Sequence, residues 1–131
     1  MGGYASLLFA YELGFKGCLS IAPQLTYDDT KKYHDRQWQE NIKACGNNFV
    51  DISDLMFRFD KNPMIFLEHG EVECDLSPTH KLIENLRKKQ VIFINRKTAN
   101  KGHVTPNPSK KTIESVIWFF ENHGFDDDFI K

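Results

Sequence analysis

The amino-acid sequence predicts a three-layer α/β fold in which a partial parallel sheet of about three strands is flanked by helices. Three short apolar runs, bounded by glycine, proline or polar residues, indicate buried strands at residues 18–22, 63–70 and 90–95. More polar segments with apolar residues at helical spacing lie between them. Because strands that alternate with helices form βαβ units, we expect the strands to be parallel.

The first helix is predicted over residues 1–14. Gly14 stands where a C-terminal cap belongs. Gly2 and Gly3 precede the apolar positions, and glycine allows a sharp turn or a close approach of two backbones. We therefore expect this helix to leave a tight turn against a neighbouring strand. Its apolar face has the i, i+3, i+4, i+7 spacing at Tyr4, Leu7, Leu8 and Tyr11.

The segment between the first two strands is predicted to be helical. Residues 28–44 are strongly polar with interspersed aromatic and aliphatic residues, which favours a partly exposed helix capped near Thr26 or Asp28. Residues 52–59 favour a second, shorter helix.

Acidic residues follow the second predicted strand, at Glu71, Glu73 and Asp75. Parallel sheets place their ligand sites at the carboxyl ends of strands, where a catalytic acid could orient a histidine. The alternative is a solvated acidic loop with a helix cap near Ser77. The next helix is expected over residues 78–89, with its proline near the first position.

His103 follows the third predicted strand on a loop that Gly102 precedes. A loop histidine at the carboxyl end of a strand can point into a site, and imidazole can take and return a proton near neutral pH. The alternative for this residue is a surface histidine without a role. The last helix is predicted over residues 110–123, with a core stripe at Ile113, Val116, Ile117 and Phe120.

Composition limits the classes of function. A length of 131 residues suits one domain, and a formal net charge of -1 argues against attraction of the whole chain to nucleic acid or an anionic membrane. Three cysteines without C-x-x-C spacing favour reduced thiols, hence a cytoplasmic protein. No apolar run is long enough to span a membrane.

Two patterns have simple alternatives. Lysine and arginine outnumber acids over residues 87–111, but aromatic interleaving is missing, so a solvated basic surface is favoured over a nucleic-acid site. The first six residues match a permissive myristoylation pattern, although a turn into a helix already explains them. The histidines besides His103 show no ligand spacing, so no metal and no other cofactor are expected.

A resemblance to a known family rests on two stretches, residues 1–5 (MGGYA) and 18–24 (CLSIAPQ). Together they resemble the α/β-hydrolase superfamily of serine hydrolases just after its nucleophile elbow, G-x-S-x-G. The resemblance implies that Met1 follows the nucleophilic serine, which would precede this chain. It also implies that the Met1 backbone N–H is an oxyanion donor, that His103 is the base, and that Asp75 or Glu73 is the acid.

The family pattern for the acid is Gly-x-x-acid with a proline about four residues later. Glu73 has the spacing from Gly70, whereas Asp75 lies nearer Pro78 and is preferred because aspartate is the commoner acid. By the same resemblance, residues 25–61 are a lid or insertion. Trp38, Met56 and Phe57 would then bind substrate, although aromatic residues at helical spacing more often cover the sheet.

Two functions are therefore expected from the sequence. In the first, the chain is the carboxyl-terminal portion of a hydrolase for an ester, thioester or amide, inactive alone, with self-association through an exposed sheet edge. A weaker similarity connects it with hydrolase-like proteins of bacterial surface polysaccharide. In the second, the chain is a non-catalytic α/β binding or interaction module, in which the edge of the first strand would be covered.

Overall fold

The structure is a computed structural model that describes residues 2–31, 36–99 and 108–123, apart from the side chains of Gln37, Trp38 and Asn47. The helices are α1 (Gly2–Glu12), α2 (Tyr27–Thr30), α3 (Arg36–Cys45), α4 (Ile52–Leu55), α5 (Glu73–Lys88) and α6 (Lys110–His123). The strands are β1 (Gly17–Ile21), β2 (Met64–His69) and β3 (Phe93–Lys97). Short 3₁₀ turns follow α3 at Gly46–Asn48 and α4 at Met56–Arg58.

The described strands form one parallel sheet in the order β1-β2-β3. Ile65 of β2 lies opposite Cys18 of β1 and Phe93 of β3, so β2 is the central strand. All six residues of β2 are buried, as expected for a strand covered on both faces. The predicted α/β class with a partial parallel sheet is thus confirmed.

The two faces of the sheet have separate cores. Ile65 and Leu67 of β2 belong to the larger core, to which α1, α4 and α5 contribute Leu7, Leu55, Leu82 and other residues. Met64 and Phe66 point to the opposite face, where they pack with Val116 and Phe119 of α6. The period-2 alternation of β2 therefore divides its side chains between two helical layers.

Helix α1 lies against the carboxyl end of β1 because Gly3 has no side chain. A Cβ atom added at Gly3 would be 2.1 Å from the carbonyl oxygen of Ile21, closer than any real contact. The Ser20 hydroxyl donates a hydrogen bond to the Gly3 carbonyl at 2.9 Å and joins the same two elements. The predicted tight approach of this helix to a strand is confirmed at Gly3, and Gly14 ends the helix region with φ of +67°.

Several predicted boundaries are wrong. The polar segment predicted as one helix over residues 28–44 is helical at α2 and α3, with residues between them outside the description. Thr26 caps α2 by accepting a hydrogen bond from the backbone N–H of Asp29. Strand β3 begins at Phe93, because Gln90 has φ of +55° and turns the chain between α5 and β3. Exposed Ile92 thus precedes the strand instead of lying within it.

The buried face of α6 also differs from the predicted stripe. Val116 is buried as expected, but Phe119 is the second core residue, and Ile113 and Ile117 are 40% and 49% exposed. Apolar residues occur on most sides of this helix, so their spacing does not define one face. Partly buried Phe120 contacts the sheet beside Gly17, where a Cβ atom would be 2.7 Å from its ring.

Lys89 connects the end of α5 to the turn that follows α4. Its ammonium group donates hydrogen bonds to the carbonyl oxygens of Met56 and, at 2.6 Å, Phe59. It also lies 5.6 Å from the ring centroid of Phe57, over an exposed aromatic face. One cation therefore satisfies two carbonyl groups where the helical segment ends.

Replacement of Gly3 by alanine is expected to destabilise the fold by about 1–3 kcal/mol or more, because the new methyl group overlaps the Ile21 carbonyl. Gly2→Ala is the matched control, since nothing lies within 4 Å of a Cβ atom there. That variant should be neutral or slightly stabilising, because alanine is the better helix former. Urea unfolding measures both, and equal stabilities would contradict the close approach.

Replacement of Lys89 by methionine is expected to lower the free energy of unfolding by about 1.5–3 kcal/mol, the usual range for a hydrogen bond to a charged group. Lys88→Met, at an exposed neighbouring position of the same helix, should change it by less than about 0.5 kcal/mol. Chemical denaturation of the two variants provides the comparison. Indistinguishable values would mean that the Lys89 contacts do not stabilise the fold.

Candidate active site

The candidate site lies at the carboxyl edge of the sheet. The three parallel strands end there at Ile21, His69 and Lys97, and α1 begins there beside Ile21. In open α/β sheets this edge is the usual place for ligands. The edge differs from the apolar core behind it, because its buried residues include Ser20, Gln24, His69, Asp75 and Thr79.

The turn after β1 has an unusual backbone. Ala22 has φ of +44°, a region that residues with a Cβ atom rarely adopt, and its N–H donates to the Glu68 carbonyl at 2.8 Å. Pro23 follows it, and the next side chain, Gln24, donates through Nε2 to the Cys74 carbonyl at 3.0 Å. The turn therefore crosses from β1 to the first turn of α5.

Proline inside α5 explains the Gln24 contact. Pro78 has no backbone N–H, so the carbonyl four residues earlier, that of Cys74, receives no helical hydrogen bond from it. The Gln24 amide donates to this carbonyl from outside the helix. The prediction that the helix begins at Pro78 is wrong, because α5 already begins at Glu73 and continues through the proline.

The two candidate acids lie in the first turn of α5 and have opposite environments. Asp75 is fully buried, with its Oδ1 atom 3.8 Å from the Cys74 Sγ, whereas Glu73 is exposed to solvent. A carboxylate in the first turn of a helix is favoured by the helix dipole. The expected acidic loop is thus helical at these positions, and only Asp75 faces the interior at the carboxyl edge.

His69 is a residue of this edge that sequence reasoning missed. It ends β2, is 2% exposed, and its Nδ1 lies 2.8 Å from the Gly70 carbonyl oxygen. Its Nε2 atom has no hydrogen-bond partner among the residues that the structure describes. Thr98 donates to the His69 carbonyl through both its N–H and its hydroxyl. The available signal was the change from apolar residues to Glu68-His69 at the end of a buried strand.

The remaining predicted site residues are not gathered at the carboxyl edge in the part of the chain that the structure describes. His103 and Met1 lie outside the described residues, as does the Trp38 side chain. Met56 is fully buried in the larger core, and Phe57 is 53% exposed beside Lys89. The Met56 and Phe57 side chains therefore do not share an environment.

The opposite face of the same edge contains a second polar group. Glu68 is 7% exposed, its Oε2 atom is 3.9 Å from Arg96 Nη1, and the same nitrogen donates to the Thr112 hydroxyl at 2.9 Å. Lys97 lies 3.2 Å from Glu71. Two of the cations in the basic stretch thus lie beside carboxylates.

Comparison of the chain with protein-family models, with curated proteins and with solved structures gives no match. In residues 2–31, 36–99 and 108–123, no group of three or more His, Cys, Asp or Glu residues is arranged to hold a metal ion. No helix in that part of the chain is long and apolar enough to cross a membrane.

The role of Gln24 is testable by a double-mutant cycle with Pro78. Gln24→Leu should cost about 0.5–1.5 kcal/mol in the wild type, the net value of one hydrogen bond. In a Pro78→Ala background the cost should be smaller, because the substituted alanine can donate its own backbone N–H to the Cys74 carbonyl. Denaturant unfolding of the four proteins gives the coupling energy. Equal costs in both backgrounds would show that the two residues act independently.

Proposed function

We propose that this chain forms the part of a serine-dependent α/β hydrolase that follows the nucleophile elbow, and that it is inactive by itself. The observation that carries the proposal is Asp75, a fully buried carboxyl group at the carboxyl edge of a parallel sheet, in the helix that follows β2. Its place at the edge where ligands bind in open parallel sheets favours a functional role.

Two further observations support this proposal. The Gly-Gly-Tyr stretch forms a helix whose first turn lies on the carboxyl end of the neighbouring strand through Gly3. The close approach is at Gly3, one residue after Gly2, the position that the resemblance gives to the closing glycine of the motif and at which an added Cβ atom would meet nothing within 4 Å. The candidate acid and the candidate base then follow β2 and β3 in the chain order serine, acid, histidine.

The proposed reaction is acyl transfer on an ester, thioester or amide. The serine before Met1 would attack the carbonyl carbon, and His103 would accept the serine proton and return it to the leaving group. Asp75 would hold the imidazole in the required tautomer and stabilise its protonated form. Exposed Glu73 is the less suitable acid, because a solvated carboxylate is screened and poorly oriented.

The edge of β1 agrees with this arrangement. β1 pairs with β2 on one side, and no strand of the described residues pairs with its other side. The hydrolase proposal places the elbow strand there. A non-catalytic α/β module remains the alternative. A monodisperse monomer in analytical ultracentrifugation that binds little hydrophobic dye would favour it.

The three cysteines, Cys18, Cys45 and Cys74, are free thiols, which supports the proposed cytoplasmic location.

The acid is tested in the chain itself by NMR of His103. If Asp75 contacts the imidazole, cross-relaxation should connect the two side chains, and Asp75→Asn should shift the carbon-bound ring protons of His103. Glu73→Gln is the matched control and should leave the His103 ring shifts unchanged, and the His123 ring reports global effects. Unchanged His103 signals in folded Asp75→Asn would contradict the pair.

Catalysis is tested with two proteins. The 131-residue chain should hydrolyse a p-nitrophenyl ester no faster than buffer. If the gene continues in frame before the Met1 codon with Gly-x-Ser, the longer product should react with a fluorophosphonate. In that product, Asp75→Asn should lower kcat by up to about 10⁴-fold, whereas Glu73→Gln should change it little. Turnover by the short chain that is lost on His103→Ala would overturn the proposal.

A further inference from the structure

A cavity of about 230 Å³ lies between α1, the turn after β1, α3 and the segment that follows it. Its apolar wall is formed by Leu8, Ile42, Phe49 and Val50. For comparison, an engineered apolar cavity of about 150 Å³ in another protein stays dry and binds benzene. The present cavity is therefore large enough for one ring or a short branched chain with a substituent.

The wall of the cavity is fixed by ring contacts and hydrogen bonds. The Tyr4 and Phe49 rings stack with centroids 5.0 Å apart, and the Tyr27 ring packs edge-on against Phe49 at 6.1 Å. Tyr4 donates its hydroxyl proton to the Val50 carbonyl at 2.9 Å. The Tyr4 hydroxyl therefore has no proton left to donate to a ligand, but its oxygen can accept a hydrogen bond from one.

The charges around the cavity disfavour an anion. None of the described residues that line it is charged. Nearby Asp29 and Asp51 accept hydrogen bonds from backbone N–H groups of helix starts, so both carboxylates are already used as caps. Burial raises the pKa of the Tyr4 phenol, and the Asp51 carboxylate adds to the effect. An anionic ligand in the cavity would likewise be disfavoured by burial and by the Asp51 carboxylate.

We propose that this cavity is a binding site for a small uncharged molecule that combines one aromatic or branched aliphatic group with a hydroxyl donor. The apolar group would lie against Leu8, Ile42 and Val50, and the hydroxyl group would donate to the Tyr4 oxygen. The proposal does not depend on hydrolase activity, because it concerns binding alone. The exposed Cys45 also lines the cavity, which places a thiol reporter at the site.

Benzyl alcohol is the probe and benzoate its anionic counterpart. Titration with benzyl alcohol should give saturable methyl shifts at Leu8, Ile42 and Val50, and benzoate should bind at least about tenfold more weakly, a difference of about 1.4 kcal/mol. Leu8→Trp should fill the cavity and abolish the saturable shifts. Leu13→Trp, at a 63% exposed position just beyond the same helix, should leave them intact.

A second measurement in the wild type keeps the test independent of these variants. Saturating benzyl alcohol should slow alkylation of Cys45 several-fold without changing the rate at Cys74, as read by peptide mass spectrometry. Equal binding of benzoate and benzyl alcohol, shifts confined to other parts of the chain, or unprotected Cys45 would each overturn the proposal.

Discussion

The close contact between α1 and the end of β1 is the constraint on which the rest of the structure depends. It requires a missing side chain at Gly3, because the Ile21 carbonyl occupies the space that a Cβ atom needs. The contact positions the first turn of α1 at the carboxyl edge of the sheet and brings the Gly3 carbonyl to the Ser20 hydroxyl. Tyr4, one residue later, then reaches the Val50 carbonyl 46 residues along the chain.

The edge of the sheet and its interior serve different purposes. Apolar residues of β2 divide between the two cores, whereas the ends of β1 and β2 and the first turn of α5 bury the polar residues Ser20, Glu68, His69 and Asp75. Buried polar groups cost stability unless they are hydrogen-bonded or paired. The change from apolar residues to Glu68 and His69 occurs within one strand.

Sequence reasoning predicted what depends on short-range patterns. The three strands, α1 with Gly14 after it, and α6 over Lys110–His123 follow from local periodicity and caps. Sequence reasoning was wrong where a contact with a residue far along the chain determines the local structure. Pro78 alone predicts the start of a helix. The helix continues through the proline, and Gln24, 50 residues before Cys74, donates to the Cys74 carbonyl that Pro78 cannot reach. Burial of Asp75 and exposure of Glu73 likewise depend on which side of a helix faces the sheet, which spacing from Gly70 does not reveal.

The two proposals meet at the same helix and use different sides of it. Gly3, Leu7 and Ala10 face the sheet and fix the position of α1, whereas Tyr4 and Leu8 face the cavity. Positions one residue apart on a helix differ by about 100° in direction, so one helix can serve both surfaces without conflict. A ligand in the cavity would thus contact α1, the helix that begins at the carboxyl edge of the sheet, where the candidate active site lies. The proposed binding site does not require a serine before Met1, since every residue that lines the cavity lies between Tyr4 and Val50.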